Sequence, residues 1–175
     1  EELMSIAAHL HDRLKHLWEL REMIEIMDQR TVAEIRSFKK PLPEVEMVMR
    51  TTLVLLGTPI AELKTWKDSL VWIGKMGRES LKRRIREFIL QTVTLDHLHY
   101  AERTLRHIEV DRILNVSQGT AIFYRWCNAV MSSAADAEGV FQGAPVPGDS
   151  VELHTNHQEG WDSDAGNLDR MKDSV

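Results

Sequence analysis

The sequence predicts an all-α protein. Apolar residues recur at helical spacings of three and four from the first residues to about residue 135. No segment combines strict apolar–polar alternation with the turn residues that would follow a strand. Gly and Pro are absent from residues 1–32, and between residues 33 and 110 they fall between the periodic segments, where they separate one predicted helix from the next.

The composition is that of a protein able to bury a core, with 43% hydrophobic and 28% charged residues. No apolar run approaches the ~18–20 residues that cross a bilayer, and Glu1-Glu2-Leu3 lacks the pattern of a signal peptide. Cys127 is the single cysteine, and one cysteine cannot form an internal disulfide. We therefore expect a reducing, intracellular compartment and no membrane partner.

The net charge of −5 hides three differently charged segments. Residues 1–30 hold seven acids and four bases, residues 31–131 hold eleven acids and sixteen bases, and residues 132–175 hold nine acids and two bases. A basic unit thus lies between acidic flanks. Such a surface attracts an acidic protein, nucleic acid or an anionic membrane, and charge alone does not choose among them.

The first helix carries a heptad pattern, the repeat of a coiled-coil seam. Its first seam position is occupied by Leu3, Leu10, Leu17 and Ile24. The second position can be filled in two ways. Ile6, Leu20 and Met27 form one register, with Arg13 as its flaw, and Ala7 and Leu14 form another, which fails at Arg21 and Asp28. A wide apolar face on an ordinary bundle helix explains the same pattern equally well.

The other helices are delimited by Pro, Gly and polar N-terminal residues. Pro41-Leu42-Pro43 ends one helix, Gly57 ends the next as a left-handed cap, and Thr94 opens a later one. The predicted helices run from Thr31 to Lys40, Glu44 to Leu56, Leu63 to Ile73, about Glu79 to Leu90, Thr94 to about His107, and roughly Asp111 to Met131. Trp66, Trp72, Trp126 and Cys127 lie on or beside apolar faces, which favours core positions.

The last segment, residues 136–175, changes in character. It holds five Gly, two Pro and nine acids, with few apolar side chains to bury. Such a composition cannot offset the entropy lost on ordering, so we expect an acidic, disordered C-terminal tail.

One stretch resembles a known family. Ala33-Glu34-Ile35-Arg36-Ser37-Phe38-Lys39-Lys40-Pro41-Leu42-Pro43, followed by Leu53-Val54-Leu55-Leu56-Gly57, is similar to the end of the outgoing stalk helix and the start of the microtubule-binding head in dynein heavy chains. Trp66-Lys67 with Gly74 and the basic helix to Phe88 resembles the middle of that head. Asn115-Val116-Ser117 with Arg125-Trp126 resembles the helix that returns to the stalk. The similarity spans roughly residues 25–131.

The resemblance implies a small helical bundle at the tip of an antiparallel two-helix coiled coil. Residues 1–32 would be the outgoing stalk helix, 33–120 the head and 121–135 the start of the returning stalk helix, its intramolecular antiparallel partner. The head would bind α/β-tubulin with an affinity set by the register of the stalk helices. The implied contact residues are Arg36, Lys39 and Lys40, then Lys75, Arg78, Lys82, Arg83 and Arg86, and finally Arg112, Asn115 and Ser117. Exposed cations suit such a partner, because each contributes little and several act together.

The resemblance also implies a location in the cytoplasm on the cytoskeleton, with the cilium and its axoneme as one setting. The chain departs from the cytoplasmic members at Asn115, where they carry a base two positions before the matching serine, and at Ile89-Leu90-Gln91-Thr92-Val93, where they are charged. The choice between axonemal and cytoplasmic types therefore stays open. In this family ATP is hydrolysed in a ring that lies outside the matching segment, so the resemblance implies no enzymatic activity here.

Other functions have weaker support. The basic run Lys82-Arg83-Arg84-Ile85-Arg86 also suits nucleic acid, but no interleaved aromatics or DNA-binding motif accompany it. Paired histidines such as His97 and His99 point apart on a helix and lack a third ligand, so we expect no metal site and no cofactor. No catalytic motif is present. The main alternative is a helical adaptor that uses residues 1–30 as a coiled coil with another protein.

Overall fold

A computed structural model describes the backbone of residues 2–143 and the side chains of residues 3–136. These residues are all-helical and contain no strand, which confirms the predicted class. The α-helices are α1 (Glu2–Ile26), α2 (Gln29–Ser37), α3 (Pro43–Leu55), α4 (Trp66–Ile73), α5 (Leu81–Arg86), α6 (Leu95–Leu105), α7 (Val110–Val116) and α8 (Gln118–Gly143). Short 3₁₀ turns lie at Ile60–Glu62, Gly77–Glu79 and Leu90–Thr92.

Local sequence signals account for several helix ends. Pro43 is the first residue of α3, where its missing N–H costs nothing. Gly57 has φ +89°, the left-handed conformation expected of a residue that follows a helix. The side chain of Thr94 accepts from the backbone N–H of His97 at the start of α6. The predicted boundaries at Gly57 and Thr94 are confirmed. The helix predicted to end at Lys40 ends earlier, at Ser37, and the helix predicted to start at Glu44 starts at Pro43.

Other predicted boundaries are wrong. The chain breaks at Met27 and Asp28, inside the predicted first helix, because Asp28 caps α2 by accepting from the N–H of Arg30 at 2.9 Å. The predicted helix from Asp111 to Met131 is two helices that meet at Ser117, whose backbone is extended. The basic helix is shorter than predicted, because α5 ends at Arg86.

The last helix is longer than predicted. It continues to Gly143, so residues 136–143, which were predicted to belong to a disordered tail, are helical. Residues 144–175, where the rest of the predicted acidic tail falls, lie outside the described residues.

The first and last helices pack against each other. Arg13 on α1 forms an ion pair with Asp136 on α8, with Nε and Oδ2 2.7 Å apart. Further along, Gly119 at the start of α8 faces Thr31 on α2. As the residue number rises from 13 to 31 on one side, it falls from 136 to 119 on the other, so the two segments run antiparallel.

The buried stripe of α1 corresponds to one of the two predicted registers. Leu17, Leu20, Ile24 and Met27 are buried, whereas Leu14 is exposed. Arg13, the polar flaw of this stripe, is half-buried and makes the ion pair with Asp136. Within this stripe, an ion pair therefore replaces an apolar contact.

The core lies where α3, α6 and α8 meet. Phe123 and Trp126 of α8 are fully buried, and the Trp126 ring meets Phe88 edge to face with centroids 5.1 Å apart. Cys127 is buried beside Thr52 of α3, with Sγ and Oγ1 3.3 Å apart. The expected core positions of Trp126 and Cys127 are confirmed. Trp66 is also buried, but Trp72 is only half-buried.

Candidate protein-binding surface

The C-terminal end of α2 brings the first predicted basic patch to the second. The guanidinium of Arg36 lies over Gly74, and a Cβ built on Gly74 would be 2.9 Å from Arg36 Nη2. Glycine at residue 74 therefore leaves space for the end of the arginine side chain at the C-terminal end of α4. This contact places Arg36 next to Lys75, which immediately follows the glycine.

Lys39 and Lys40 lie in the turn between α2 and α3, and both side chains are exposed. The turn is held in place by Trp66, whose indole N–H donates to the carbonyl of Phe38 at 2.7 Å. Pro41 further limits the backbone. Both ammonium groups thus project from an anchored turn.

Lys75 is held against an aromatic ring. Its Nζ lies 3.5 Å from the centroid of the Trp72 ring, and it also pairs with Glu79 at 3.2 Å. The guanidinium of Arg84 lies 5.2 Å from the same ring. Trp72 is therefore half-buried beneath two cations, which explains why it is not a core anchor like Trp126.

Two cations of α5 hold the fold together. Lys82 donates to the carbonyl oxygens of Glu25, at 3.3 Å, and Met27, at the C-terminal end of α1. A cation is favourable there because the last carbonyls of a helix carry partial negative charge. Arg84 donates to the carbonyl of Leu56 at 3.0 Å and to Thr58 Oγ1 at 2.8 Å. Burial lowers the pKa of the Arg84 guanidinium from its ordinary value.

The outer cations of this region are more accessible. Arg78 is exposed on the 3₁₀ turn before α5. Arg83 pairs with Glu87 of the same segment at 2.7 Å, and the hydrogen bond from Arg83 lowers the pKa of the Glu87 carboxyl. Arg86 reaches Glu25 on α1 at 3.0 Å. Both arginines are in surface ion pairs, which are weak enough to exchange for another partner.

The third predicted patch divides into surface and structural residues. Arg112 on α7 pairs with Glu44 at the start of α3, 2.7 Å away, and Asn115 is exposed. Ser117 is buried, and its Oγ accepts from the N–H of Thr120 at 3.2 Å. Ser117 therefore caps α8, and it is the one predicted contact residue that the structure places inside.

A shallow groove lies between α2 and the segment that joins α4 to α5. We call it the basic groove; its lining residues are Gln29, Arg30, Val32, Ala33, Arg36, Ile73, Gly74, Lys75, Met76, Gly77, Ser80, Leu81 and Lys82. The lining thus contains four bases and no acid. Three of these bases were predicted as contacts, and only Arg30 was not, because it lies upstream of the recognised motif.

Met76 was also missed by the sequence analysis. Its side chain is 84% exposed at the edge of the basic groove, unusually high for a large apolar residue. The neighbouring Gly77 has φ +65°, a conformation that turns the chain sharply there. The groove therefore combines cations with an exposed apolar side chain.

The described part of the chain offers few features of other site types. No group of three His, Cys, Asp or Glu side chains within it could hold a metal ion. Among its helices, none is both long and apolar enough to cross a membrane. Polar depressions lie beside α1 and α8, lined in part by His9 and Ser133, and beside α6, lined in part by Asp96 and His99.

Comparison with known proteins adds no identification. No protein-family model matches the chain, and no curated protein matches it significantly.

Proposed function

We propose that this chain is the microtubule-binding stalk tip of a dynein-type motor, with no enzymatic activity of its own. α1 and the C-terminal part of α8 would form the stalk, as an antiparallel coiled coil, and α2 to α7 the head. The partner would be α/β-tubulin in the cytoplasm or in an axoneme, and neither nucleic acid nor a membrane would be bound.

One observation carries this proposal: cations from separate segments gather around α2, in a head whose chain enters and leaves through neighbouring antiparallel helices. Arg36 contacts Gly74, which places the first basic patch at the second. Phe38 is bonded to Trp66, and α2 packs against the N-terminal part of α8. This arrangement suits a head that presents charge beyond a two-helix neck.

The contact set differs from the one that the resemblance implied. Lys39, Lys40 and Arg78 are exposed, and within the described residues none of them forms an ion pair. We assign them the main role, with Arg36, Lys75, Arg83, Arg86, Arg112 and Asn115 at the surface beside them. Lys82 holds α1 and Ser117 caps α8, so their part in binding would be indirect.

The test is co-sedimentation of the full chain with microtubules. A variant with Lys39, Lys40 and Arg78 all changed to Ala should bind about tenfold more weakly, because three exposed contacts at ~0.5 kcal/mol each sum to about 1.5 kcal/mol. Higher salt should weaken the binding of the unmodified chain.

The matched control changes Lys15, Lys64 and Arg103 to Ala, three exposed bases outside the predicted patches. It removes the same charge and should bind normally. Failure of the unmodified chain to pellet, or equal weakening in both variants, would contradict the proposal. Reversing the charges of Lys82 and Arg84 would be uninformative, because both hold the fold.

A second function, a helical adaptor without microtubule binding, is favoured by one specific observation. The N-terminal half of α1 exposes large apolar side chains, with Leu3 at 82% and Met4 at 79%. Exposed apolar patches of this kind mark interaction sites. The molecular mass in solution separates the two functions, since a monomer supports the stalk tip and a stable dimer built on α1 supports the adaptor.

A further inference from the structure

We propose that the basic groove binds an extended, acidic peptide segment of a partner protein. This proposal deepens the proposed function and rests on it for the identity of the partner. Within that function, the groove would bind an acidic tail of tubulin rather than the folded surface of tubulin.

The charge of the groove is the first argument. Its lining contributes Arg30, Arg36, Lys75 and Lys82 and no carboxylate. Lys75 is partly neutralised by Glu79, and Lys82 is engaged at the end of α1. Arg30 and Arg36 make no ion pair in the part of the chain that the structure describes. Two guanidinium groups on one helix are therefore available to carboxylates.

The spacing of the two arginines is the second argument. They are six residues apart on α2, which corresponds to about 9 Å along the helix axis at 1.5 Å per residue. In an extended peptide, side chains on one face repeat about every 6.6 Å, since each residue advances ~3.3 Å. Six residues also turn the helix by about 240°, so the two side chains leave α2 in different directions. Both nevertheless line the groove, where carboxylates of a single extended peptide can meet both guanidiniums.

The surface of the groove is the third argument. The space over Gly74 is taken by the Arg36 guanidinium, but a Cβ built on Gly77 would meet no atom within 4 Å, so the groove leaves room for a main chain there. Met76 is exposed beside Gly77. An acidic peptide with a flexible backbone fits a groove that combines an open surface, cations and one exposed apolar side chain. Single-stranded nucleic acid fits less well, because its bases stack on aromatic side chains, and the groove lining contains no aromatic residue.

The test measures the fluorescence anisotropy of a labelled ten-residue polyglutamate peptide with the full chain at low salt. The unmodified chain should bind, and the Arg30→Glu/Arg36→Glu variant should lose at least tenfold in affinity. The control Lys15→Glu/Arg103→Glu makes the same change in net charge at exposed residues outside the groove and should stay within twofold. Circular dichroism should show that both variants remain helical.

Equal affinity of the groove variant and the unmodified chain would overturn the proposal, as would equal losses in the control. Tighter binding of a ten-residue oligouridine through the same two arginines would also overturn it. Microtubules whose acidic tails have been removed by protease separate this proposal from the function on which it rests. Unchanged pelleting on the trimmed microtubules refutes the groove and leaves the stalk-tip function standing, whereas peptide binding without any pelleting refutes that function alone.

Discussion

Gly119 at the start of α8 faces Thr31 on α2, and its substitution gives a quantitative test of that contact. A Cβ at residue 119 would lie 2.3 Å from Cγ2 of Thr31 and 3.4 Å from Cδ1 of Ile35. Carbon atoms in good contact are ~3.5–4.0 Å apart, so Gly119→Ala forces α2 and α8 apart or turns Thr31 to another rotamer.

The expected cost follows from two opposing effects. Overpacking of one methyl group costs about 1–3 kcal/mol, whereas Ala is favoured over Gly by up to ~1 kcal/mol inside a helix. Gly119 is only the second residue of α8, so this gain is small. We expect Gly119→Ala to lower the free energy of unfolding by about 1–2 kcal/mol. For a chain of this length, the melting temperature should then fall by roughly 2–8 °C.

The assay is urea unfolding followed by circular dichroism, with a double variant as the control. Thr31→Ser removes the Cγ2 methyl group that the new Cβ would meet. Thr31→Ser/Gly119→Ala should therefore recover most of the lost stability, with a coupling of about 1 kcal/mol between the two sites. If Gly119→Ala stabilises the protein, or the double variant recovers nothing, α2 and α8 do not meet as described.

Three further predictions test other features of the fold. Lys82→Met should lower the free energy of unfolding by about 1–2 kcal/mol, because the C-terminal end of α1 loses its cation. Arg83→Met, which breaks only a surface ion pair, should lower the free energy of unfolding by less than ~0.5 kcal/mol. Equal losses for the two variants in urea unfolding would contradict the role assigned to Lys82. Burial raises the pKa of Cys127 to about 12 from its ordinary 9.0. The thiol of the folded protein should therefore resist a disulfide reagent at pH 8. The free energy of unfolding should fall as the pH rises from 9 towards 12, because the unfolded chain loses the thiol proton first. Melting measured against pH should show that Cys127→Ser abolishes this fall. Reversing Arg13 to Asp should cost up to about 1 kcal/mol in urea unfolding, and the added Asp136→Arg should restore it; no rescue would mean that the ion pair is not formed.

The parts of the fold that the sequence predicts correctly are those set by local chemistry. Pro43, Gly57 and Thr94 each fix a helix end through their own backbone or side chain, so no knowledge of the tertiary structure is needed. The breaks at Asp28 and Ser117 use the same kind of capping side chain as Thr94, but the sequence pattern did not single them out. Polar residues of this kind also occur inside continuous helices. They can be recognised as caps only when neighbouring segments fix the direction of the chain.

The sequence predicted a surface rich in cations, but not whether each cation is exposed or bonded within the fold. Sequence places Lys82 and Arg78 in the same basic patch, yet one is bonded to the end of α1 and the other is exposed. The acceptor of Lys82 lies 55 residues away along the chain, and no local pattern reports such a partner. For the same reason Arg30 was missed, since its place on the groove depends on how α2 meets the turn after α4.

The contacts of α5 with α1 provide a physical basis for the proposed coupling between stalk and head. Lys82 bonds to main-chain carbonyls at the end of α1, and Arg86 pairs with the carboxylate of Glu25 on the same helix. A shift of α1 by one helical turn would carry these acceptors about 5.4 Å away, beyond the reach of a hydrogen bond. Both cations would then be released beside the basic groove, where they could bind carboxylates of a partner instead. By linkage, a partner that binds the released cations more tightly must favour the shifted position of α1 to the same degree. The same shift would move Leu17, Leu20, Ile24 and Met27, which belong to the buried core. Coupling between the stalk and the binding surface thus requires repacking of α1 against the core as well as the exchange of internal acceptors for external ones.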